Sequence, residues 1–317
     1  MIEAFTLREG GLLPAGDRSA PVLLCSDPDA RERAWLQQAF PLDSHRLASA
    51  LDPDEVSRLE VQGDELFLIW KRPERYAGGA RFAFEVSSFG LLWHPERLVV
   101  ISAGPSLLAG EGPLQPLHDP LDVLVELLFR SVHHYQGHLK VIRLVGRELQ
   151  QRFDSSLGNE HLLQMFNLSE SLIHYINALQ GNGAVLDRLR QVAERRELGE
   201  ALRARLEDLI IENDQCRRQA DLYATVFARL MDARGNLANN SMNLTLRNLT
   251  LINVVFLPLN LIAGIGGMSE FSMMTAGHPW WLSYSLLLAA MAALSLALTW
   301  ILRRSLRRRA ESAARAA

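Results

Sequence analysis

The sequence is poor in cysteine, almost without lysine and, near its end, nearly without charge. Cys25 and Cys216 alone in 317 residues cannot build a disulfide framework, and nothing suggests a zinc-finger ligand set. Lysine stands only at Lys71 and Lys140, so 31 of the 33 basic residues are arginine, an imbalance we read as genomic base bias. No Gly-rich phosphate loop, nucleophile elbow or H-E-x-x-H motif occurs, so an enzyme reading has no catalytic constellation behind it. The Gly pairs at 10–11 and 78–79 read as turn glycines. Met1-Ile2-Glu3-Ala4 has neither a basic nor an apolar leader character, so no cleaved signal peptide is expected. A formal charge of −3 argues against a dedicated nucleic-acid partner. What is present, 48% hydrophobic and 22% charged residues, is globular composition, and the length allows two domains at about 150 residues each.

Charge is distributed unevenly. From Leu249 to Leu302 the only ionisable side chains are Glu270, His278 and Tyr284, whereas Arg303–Ala317 carries six Arg and one Glu. Two uncharged runs result, Leu249–Gly267 and Trp280–Leu302, of 19 and 23 residues. At about 1.5 Å per residue they reach roughly 28 and 34 Å, enough to cross a hydrocarbon core of about 30 Å. Soluble helices rarely run so far without a charged face. Arg247 precedes the first run and Arg303, Arg304, Arg307, Arg308 and Arg309 follow the second, while the connection 268–279 has no Lys or Arg. The positive-inside rule then places both termini in the cytoplasm, and Trp280, Trp281 and Trp300 suit the two interfaces. The expectation is a two-helix hairpin in the inner (cytoplasmic) membrane, with the basic tail in contact with lipid headgroups.

Residues 1–118 read as a mixed α/β domain. Apolar runs at Pro21–Cys25, Leu66–Trp70, Phe82–Trp93 and Leu98–Ser102 suit strands, and Asp27-Pro28-Asp29 opens a helix over Ala30–Phe40. Long helices follow over 119–245: Leu121–Phe153, then Asn159–Leu179, with Gln180-Gly181-Asn182-Gly183 read as a break. A third begins near Leu198 and runs into the first membrane run, roughly 100 Å from Glu200 to Gly267 if continuous. A helix of that length needs partners, which an antiparallel pair packed against it would provide. The remaining segments are 246–267 and 280–302 as membrane helices, 268–279 as the outer loop and 303–317 as the tail.

Polar residues within and below the first run are the most informative feature. Asn243, Asn253 and Asn260 are spaced 10 and 7 apart, and Leu246, Leu257 and Gly264 share their face. Asp232, Asn236 and Asn239 continue the stripe downward. An amide in a membrane helix is costly unless it meets water or a partner. Two readings stay open. The stripe either lines a narrow aqueous path in a symmetric oligomer, with Leu rings as constrictions, or it glues helices together. A membrane-anchored sensor or scaffold is a further alternative, although an anchor has no use for one-sided amides.

The segment Phe256-Leu257-Pro258-Leu259-Asn260-Leu261-Ile262-Ala263-Gly264-Ile265-Gly266-Gly267-Met268-Ser269 resembles the CorA-type metal-ion transporter family, whose first membrane helix ends in a Gly-Met-Asn signature. Leu59–Lys71 resembles a strand-forming segment of that family's cytoplasmic domain. The resemblance implies an α/β cytoplasmic funnel, long stalk helices, a two-helix transmembrane hairpin and a homopentamer. It implies divalent cations and membrane lipids as partners, and no cofactor beyond the transported ion. By position it makes Gly267, Met268, Ser269 and Glu270 the selectivity entrance. Asn243, Leu246, Asn253, Leu257, Asn260 and Gly264 become pore-lining, and Asp232 becomes a stalk carboxylate of metal-dependent gating.

Two departures bear on the ion. Ser269 stands at the signature Asn, and its shorter hydroxyl would hold a fully hydrated Mg²⁺ less well. Leu47-Ala48-Ser49 stands where many members carry a Leu-Glu-Asp gating pair, although Asp52, Asp54 and Glu55 are close in sequence. These changes favour Zn²⁺ modestly over Mg²⁺, with Mg²⁺/Co²⁺ transport as the alternative. A carboxylate ring at Glu270 would attract cations. His134 and His138 have the i, i+4 spacing of a Zn²⁺ pair, but His133 aside no further ligand is near, so an ordinary surface or interface role competes. His278 reads as a loop histidine, and Cys216 as a packed thiol.

Overall fold

The computed structural model describes residues 1–8, 10–74, 84–104, 116–153, 159–274, 276–277 and 279–316, with the side chains of 152–153, 159–161, 270–272, 303 and 305–316 left aside. The chain divides into two compact units, Met1–Met231 and Asp232–Ala317.

The first unit is built on a seven-stranded sheet. Its strands are β1 (Ile2–Arg8), β2 (Gly11–Ala15), β3 (Val22–Ser26), β4 (Arg58–Gln62), β5 (Glu65–Pro73), β6 (Val86–His94) and β7 (Arg97–Ser102). They lie in the order β2-β1-β3-β7-β6-β5-β4, and β3 with β7 is the parallel pair in an otherwise antiparallel sheet. Side chains alternate between faces along a strand. Leu66, Leu68, Trp70, Phe89, Leu91 and Trp93 join the core shared with the long helices. Phe67, Ile69, Leu92, Val99 and Ile101 join a second core with Leu36, Leu47 and Ala50. The last three come from α1 (Ala30–Ala39) and α2 (Ser44–Leu51). Burial on both faces is why the central strands read as unbroken apolar runs.

Local chemistry fixes the connections. Asp29 caps α1 by accepting from the Glu32 amide at 2.8 Å, while the Glu32 carboxylate accepts from the Asp29 amide at 3.0 Å, a reciprocal capping box. Gly63, at φ +57°, makes the tight turn between β4 and β5. Gly90 serves a different need, since a Cβ there would stand 2.4 Å from the Ala50 Cβ, so β6 and α2 meet backbone against side chain.

Three helices cover the other face: α3 (Pro120–Phe153), α4 (Asn159–Arg195) and the first part of α5 (Glu200–Gly266). The Trp70 indole donates to the Ser131 hydroxyl at 2.9 Å, and the Asn213 amide donates to the Leu179 carbonyl at 2.9 Å. Sheet and helices share one core, so the boundary expected at residue 118 separates strands from helices in sequence but not in packing. Cys216 lies in that core, and burial pushes its thiol pKa up to about 11.

One expectation is corrected. α4 runs straight through Gln180-Gly181-Asn182-Gly183. The residues are small because two neighbours come close: a Cβ at Gly181 would lie 3.2 Å from Ser57, and one at Gly183 would lie 3.3 Å from the Asn213 amide nitrogen. Asn182, fully buried, pairs with strand β5 by accepting from the Lys71 amide at 3.0 Å and donating to its carbonyl at 2.7 Å. Its oxygen also accepts from the Ser57 hydroxyl at 2.9 Å. Packing has overridden a composition that favours breaking a helix. The N-terminal hairpin β1–β2 and helix α2 also escaped the sequence reading.

The second unit holds the rest of α5, a short helix α6 (Ser269–Met274) and α7 (Trp280–Ala316). The connection read as a loop over 268–279 thus contains a helix, and α7 continues through the basic tail. Two stretches, the end of α5 and Trp280–Leu302, are long and apolar enough to cross a membrane. Along α5 the half-buried residues Leu251, Val255, Pro258, Leu259 and Ile262 lie on the face of buried Gly266, where a Cβ would come within 2.5 Å of Leu287. Ser283, Leu287, Met291, Leu294 and Leu298 form the matching half-buried face of α7.

Asn182→Ala removes three hydrogen bonds, leaving the Lys71 amide without its side-chain acceptor and its carbonyl with only the Ser131 hydroxyl at 3.5 Å, a loss of roughly 2–3 kcal/mol. Thermal unfolding of the full chain in detergent should show the first unit melting several degrees lower.

Candidate functional site

The second helix of the hairpin covers one side of α5 only. At 100° per residue, Asn253, Leu257, Asn260 and Gly264 centre about 180° from the Leu251–Gly266 face. Asn243 and Leu246 extend that outward stripe, and all six residues are exposed, Leu257 at 76%. The hydroxyl side chains nearby look after themselves: Thr245 donates to the Ser241 carbonyl at 3.0 Å and Thr250 to the Leu246 carbonyl at 2.8 Å. Among the described residues, no partner is recorded for the side-chain amides of Asn243, Asn253 or Asn260. A hydrocarbon surrounding would leave them costly. The geometry therefore leaves three amides on one face of α5, open to water or to another polar partner.

The entrance segment follows where α5 ends. The Gly267 amide donates to the Ala263 carbonyl at 3.0 Å and the Met268 amide to the Ile265 carbonyl at 3.1 Å, which closes the last turn before Ser269 opens α6. Met268 and Ser269 are exposed. The Glu270 side chain and His278 lie outside the described residues. Toward the C-terminal end of the apolar part of α7, the Arg304 guanidinium sits 5.0 Å from the Trp300 ring, a cation–π contact suited to an interfacial aromatic.

Asp232 is exposed at the start of the second unit. Leu47 and Ser49, at the position of the family's gating pair, are buried and belong to the packing of α2 on the sheet. Nearby acids are engaged locally: an Asp52 carboxylate oxygen accepts from the Asp54 amide at 2.9 Å, and Glu55 pairs with Arg58 at 2.8 Å.

The histidines of α3 divide into surface and core. His133 is 3.4 Å from Glu212. His134 is exposed and its ring lies 4.3 Å from that of His138. His138 is buried, stacked on Tyr175, with Nδ1 2.5 Å from the Tyr175 hydroxyl. Burial first, and His134 second, push its pKa down to about 4. Among the described residues no group of three His, Cys, Asp or Glu is placed to hold a metal ion, so the pair has no completed coordination set.

With this geometry in hand, the likeness to known proteins is direct. The family described as CorA-like Mg²⁺ transporter protein matches residues 23–304. The chain belongs to the CorA family. It is thereby a member of a divalent-cation transporter family, a class of membrane transporters and not of enzymes. The cobalt/magnesium transport protein CorA of Methanocaldococcus jannaschii is 23% identical over 289 residues, covering 89% of each chain. The complete structure of the CorA magnesium transporter from that organism superposes with a TM-score of 0.79 at 20% identity, covering 96% of this chain and 98% of that one. The full-length CmaX protein superposes with a TM-score of 0.69 at 18% identity, over 95% and 96% of the two chains. These structures carry the architecture: α/β domain, long helices and a C-terminal apolar hairpin.

Sequence reasoning passed over Gly266 and Tyr284. The signal available was the glycine density of Gly264–Gly267 facing a tyrosine at the start of the second run.

The buried His138 gives a pH dependence. Its folded pKa is depressed, so the unfolded chain binds the extra proton. The contribution is complete above about 6.5 and is lost as pH falls toward about 4. Unfolding midpoints should fall across that window in the wild type, and His138→Gln should flatten the slope there.

Proposed function

We propose that copies of this chain, five by the family resemblance, assemble with α5 innermost and conduct divalent cations along the Asn243–Asn253–Asn260 stripe. The observation that carries the reading is the position of that stripe. Its amides lie opposite the face covered by α7 and find no recorded partner among the described residues. One helix cannot enclose a path, whereas a ring of identical helices can. Asn oxygens would accept hydrogen bonds from the waters of a hydrated cation, and the Leu257 and Leu246 rings would supply apolar constrictions. Helix α7 then faces lipid. The arginines flanking the hairpin favour cytoplasmic termini and an inner-membrane location.

Gly267, Met268, Ser269 and Glu270 form the outer entrance in this reading, and exposed Asp232 is a gating carboxylate. Mg²⁺ and Co²⁺, the ions named for the Methanocaldococcus relative, are the reference ions. A preference for Zn²⁺ is a finer proposal that rests chiefly on Ser269, beside the missing gating pair at Leu47-Ala48-Ser49. Mg²⁺ gives up its waters reluctantly and profits from an amide that grips its hydration shell, while Zn²⁺ accepts fewer and mixed ligands.

Flux into proteoliposomes tests both levels. Asn260→Leu should lower Mg²⁺, Co²⁺ and Zn²⁺ flux by tenfold or more with assembly intact, because it replaces a ring of amides by an apolar constriction. Unchanged flux would make the amides helix glue. For ion choice, Ser269→Asn should raise the Mg²⁺-to-Zn²⁺ flux ratio several-fold. An unchanged ratio would sink the Zn²⁺ preference and leave divalent-cation transport standing.

A further inference from the structure

Among the described residues of the second unit, one alone is buried: Gly266. Its missing side chain is the reason. A Cβ there would meet Leu287 Cδ2 at 2.5 Å, so any larger residue would force the Leu287 side chain to turn aside, and with glycine that side chain rests on the α5 backbone. Gly264, two residues earlier, has nothing within 4 Å of its own would-be Cβ. The close approach is therefore local to one residue and not a property of a glycine-rich face. A second contact falls at the same place, where the Tyr284 hydroxyl donates to the Gly266 carbonyl at 3.5 Å. That carbonyl lies in the last turn of α5, among the helix-end carbonyls that side chains commonly cap.

Position gives these contacts their consequence. Gly266 immediately precedes Gly267-Met268-Ser269, and the helix closes there through the Gly267 and Met268 amides before α6 begins. Tyr284 and Leu287 stand on one face of α7, one turn apart, within the first turns after Trp280. The outer ends of the two helices thus meet at one carbonyl and one notch, directly beneath the entrance. Elsewhere the half-buried faces of α5 and α7 are aliphatic side chains, whereas at Gly266 the Leu287 methyl and the Tyr284 hydroxyl both reach the α5 backbone.

We infer that Gly266, Leu287 and Tyr284 form a joint that sets the position of the Ser269 entrance, so that α7, which contributes nothing to the path itself, tunes ion entry through Gly266. These are positioning residues. The inference rests on the transport reading for its functional consequence, but the joint itself has a readout independent of flux.

That readout is the reactivity of a thiol at the entrance. Cys25 and Cys216 are buried, and burial raises their thiol pKa to about 12 and about 11, so a Ser269→Cys chain reports its own position to a membrane-impermeant maleimide. In full-length protein reconstituted in vesicles, Gly266→Ala should change the Ser269→Cys labelling rate by threefold or more. Adding Leu287→Ala to the same chain should bring the rate back to within about twofold of the parent. In chains retaining Ser269, Gly266→Ala should lower maximal flux by tenfold or more with a shift in apparent KM, and Leu287→Ala should again restore it. Tyr284→Phe, which removes one oxygen and keeps the ring, covers the case in which Gly266→Ala fails to assemble, and should itself shift labelling by threefold or more. Parental labelling in both Gly266→Ala and Tyr284→Phe, or no restoration by Leu287→Ala, overturns the joint. Absence of flux in the wild type with the labelling pattern intact would refute the transport reading alone.

Discussion

A side-chain amide inside hydrocarbon must find a hydrogen-bonding partner, and α5 carries three on one face that its own chain leaves without a recorded one. The opposite side carries the half-buried Leu251, Val255, Pro258, Leu259 and Ile262, and there Gly266 meets Leu287 and Tyr284 of the second helix of the hairpin. A single chain is thus stable on one flank of the helix and incomplete on the other. Closure by identical copies, as proposed, would satisfy the amides with water or with one another and leave the apolar outer face of α7 for lipid. An isolated anchor would meet neither requirement, since a helix that only holds a domain at a membrane gains nothing from Asn243, Asn253 and Asn260 in register.

The first unit supplies a rigid base for the start of α5. The sheet is buried on both faces, and its helix-side core is continuous with the packing of α3, α4 and the α5 segment up to Phe227. Specific polar contacts fix the register of that packing, Asn182 on Lys71 and Asn213 on the Leu179 carbonyl in particular. Gly146 plays the same part as Gly90 and Gly266, since a Cβ on it would stand 2.5 Å from the Phe227 ring. Three close approaches in three different packing layers are made by leaving out a side chain.

The hairpin, the mixed α/β character and the three long helices were legible because hydrophobic periodicity and absent charge are local signals. The Asn stripe was legible for the same reason, since 10 and 7 residues bring the side chains back to one face. The side of α5 that α7 covers was not, because it depends on which of two apolar faces a second helix selects. The α4 break was misread since Gly181 and Gly183 report, in sequence, only their low helix propensity. Their tight spacing against Ser57 and Asn213 is a tertiary fact. The histidine pair was read from its i, i+4 spacing, but spacing says nothing of burial, and His138 turned out to be stacked on Tyr175. The joint at Gly266 needed the structure for the same reason as the α4 break.

The most direct test of the proposed water-lined face is cysteine-substitution accessibility from residue 243 to residue 264 in reconstituted full-length protein. Each single-cysteine chain is treated with a small membrane-impermeant thiol reagent and the block of cation flux is recorded. Strong block at 243, 246, 253, 257, 260 and 264, with protection at 251, 255, 259 and 262, is the pattern expected of α5 innermost in a ring. Block at 251, 255 and 262 with silence along the Asn stripe would contradict it and place the amides in a helix–helix contact.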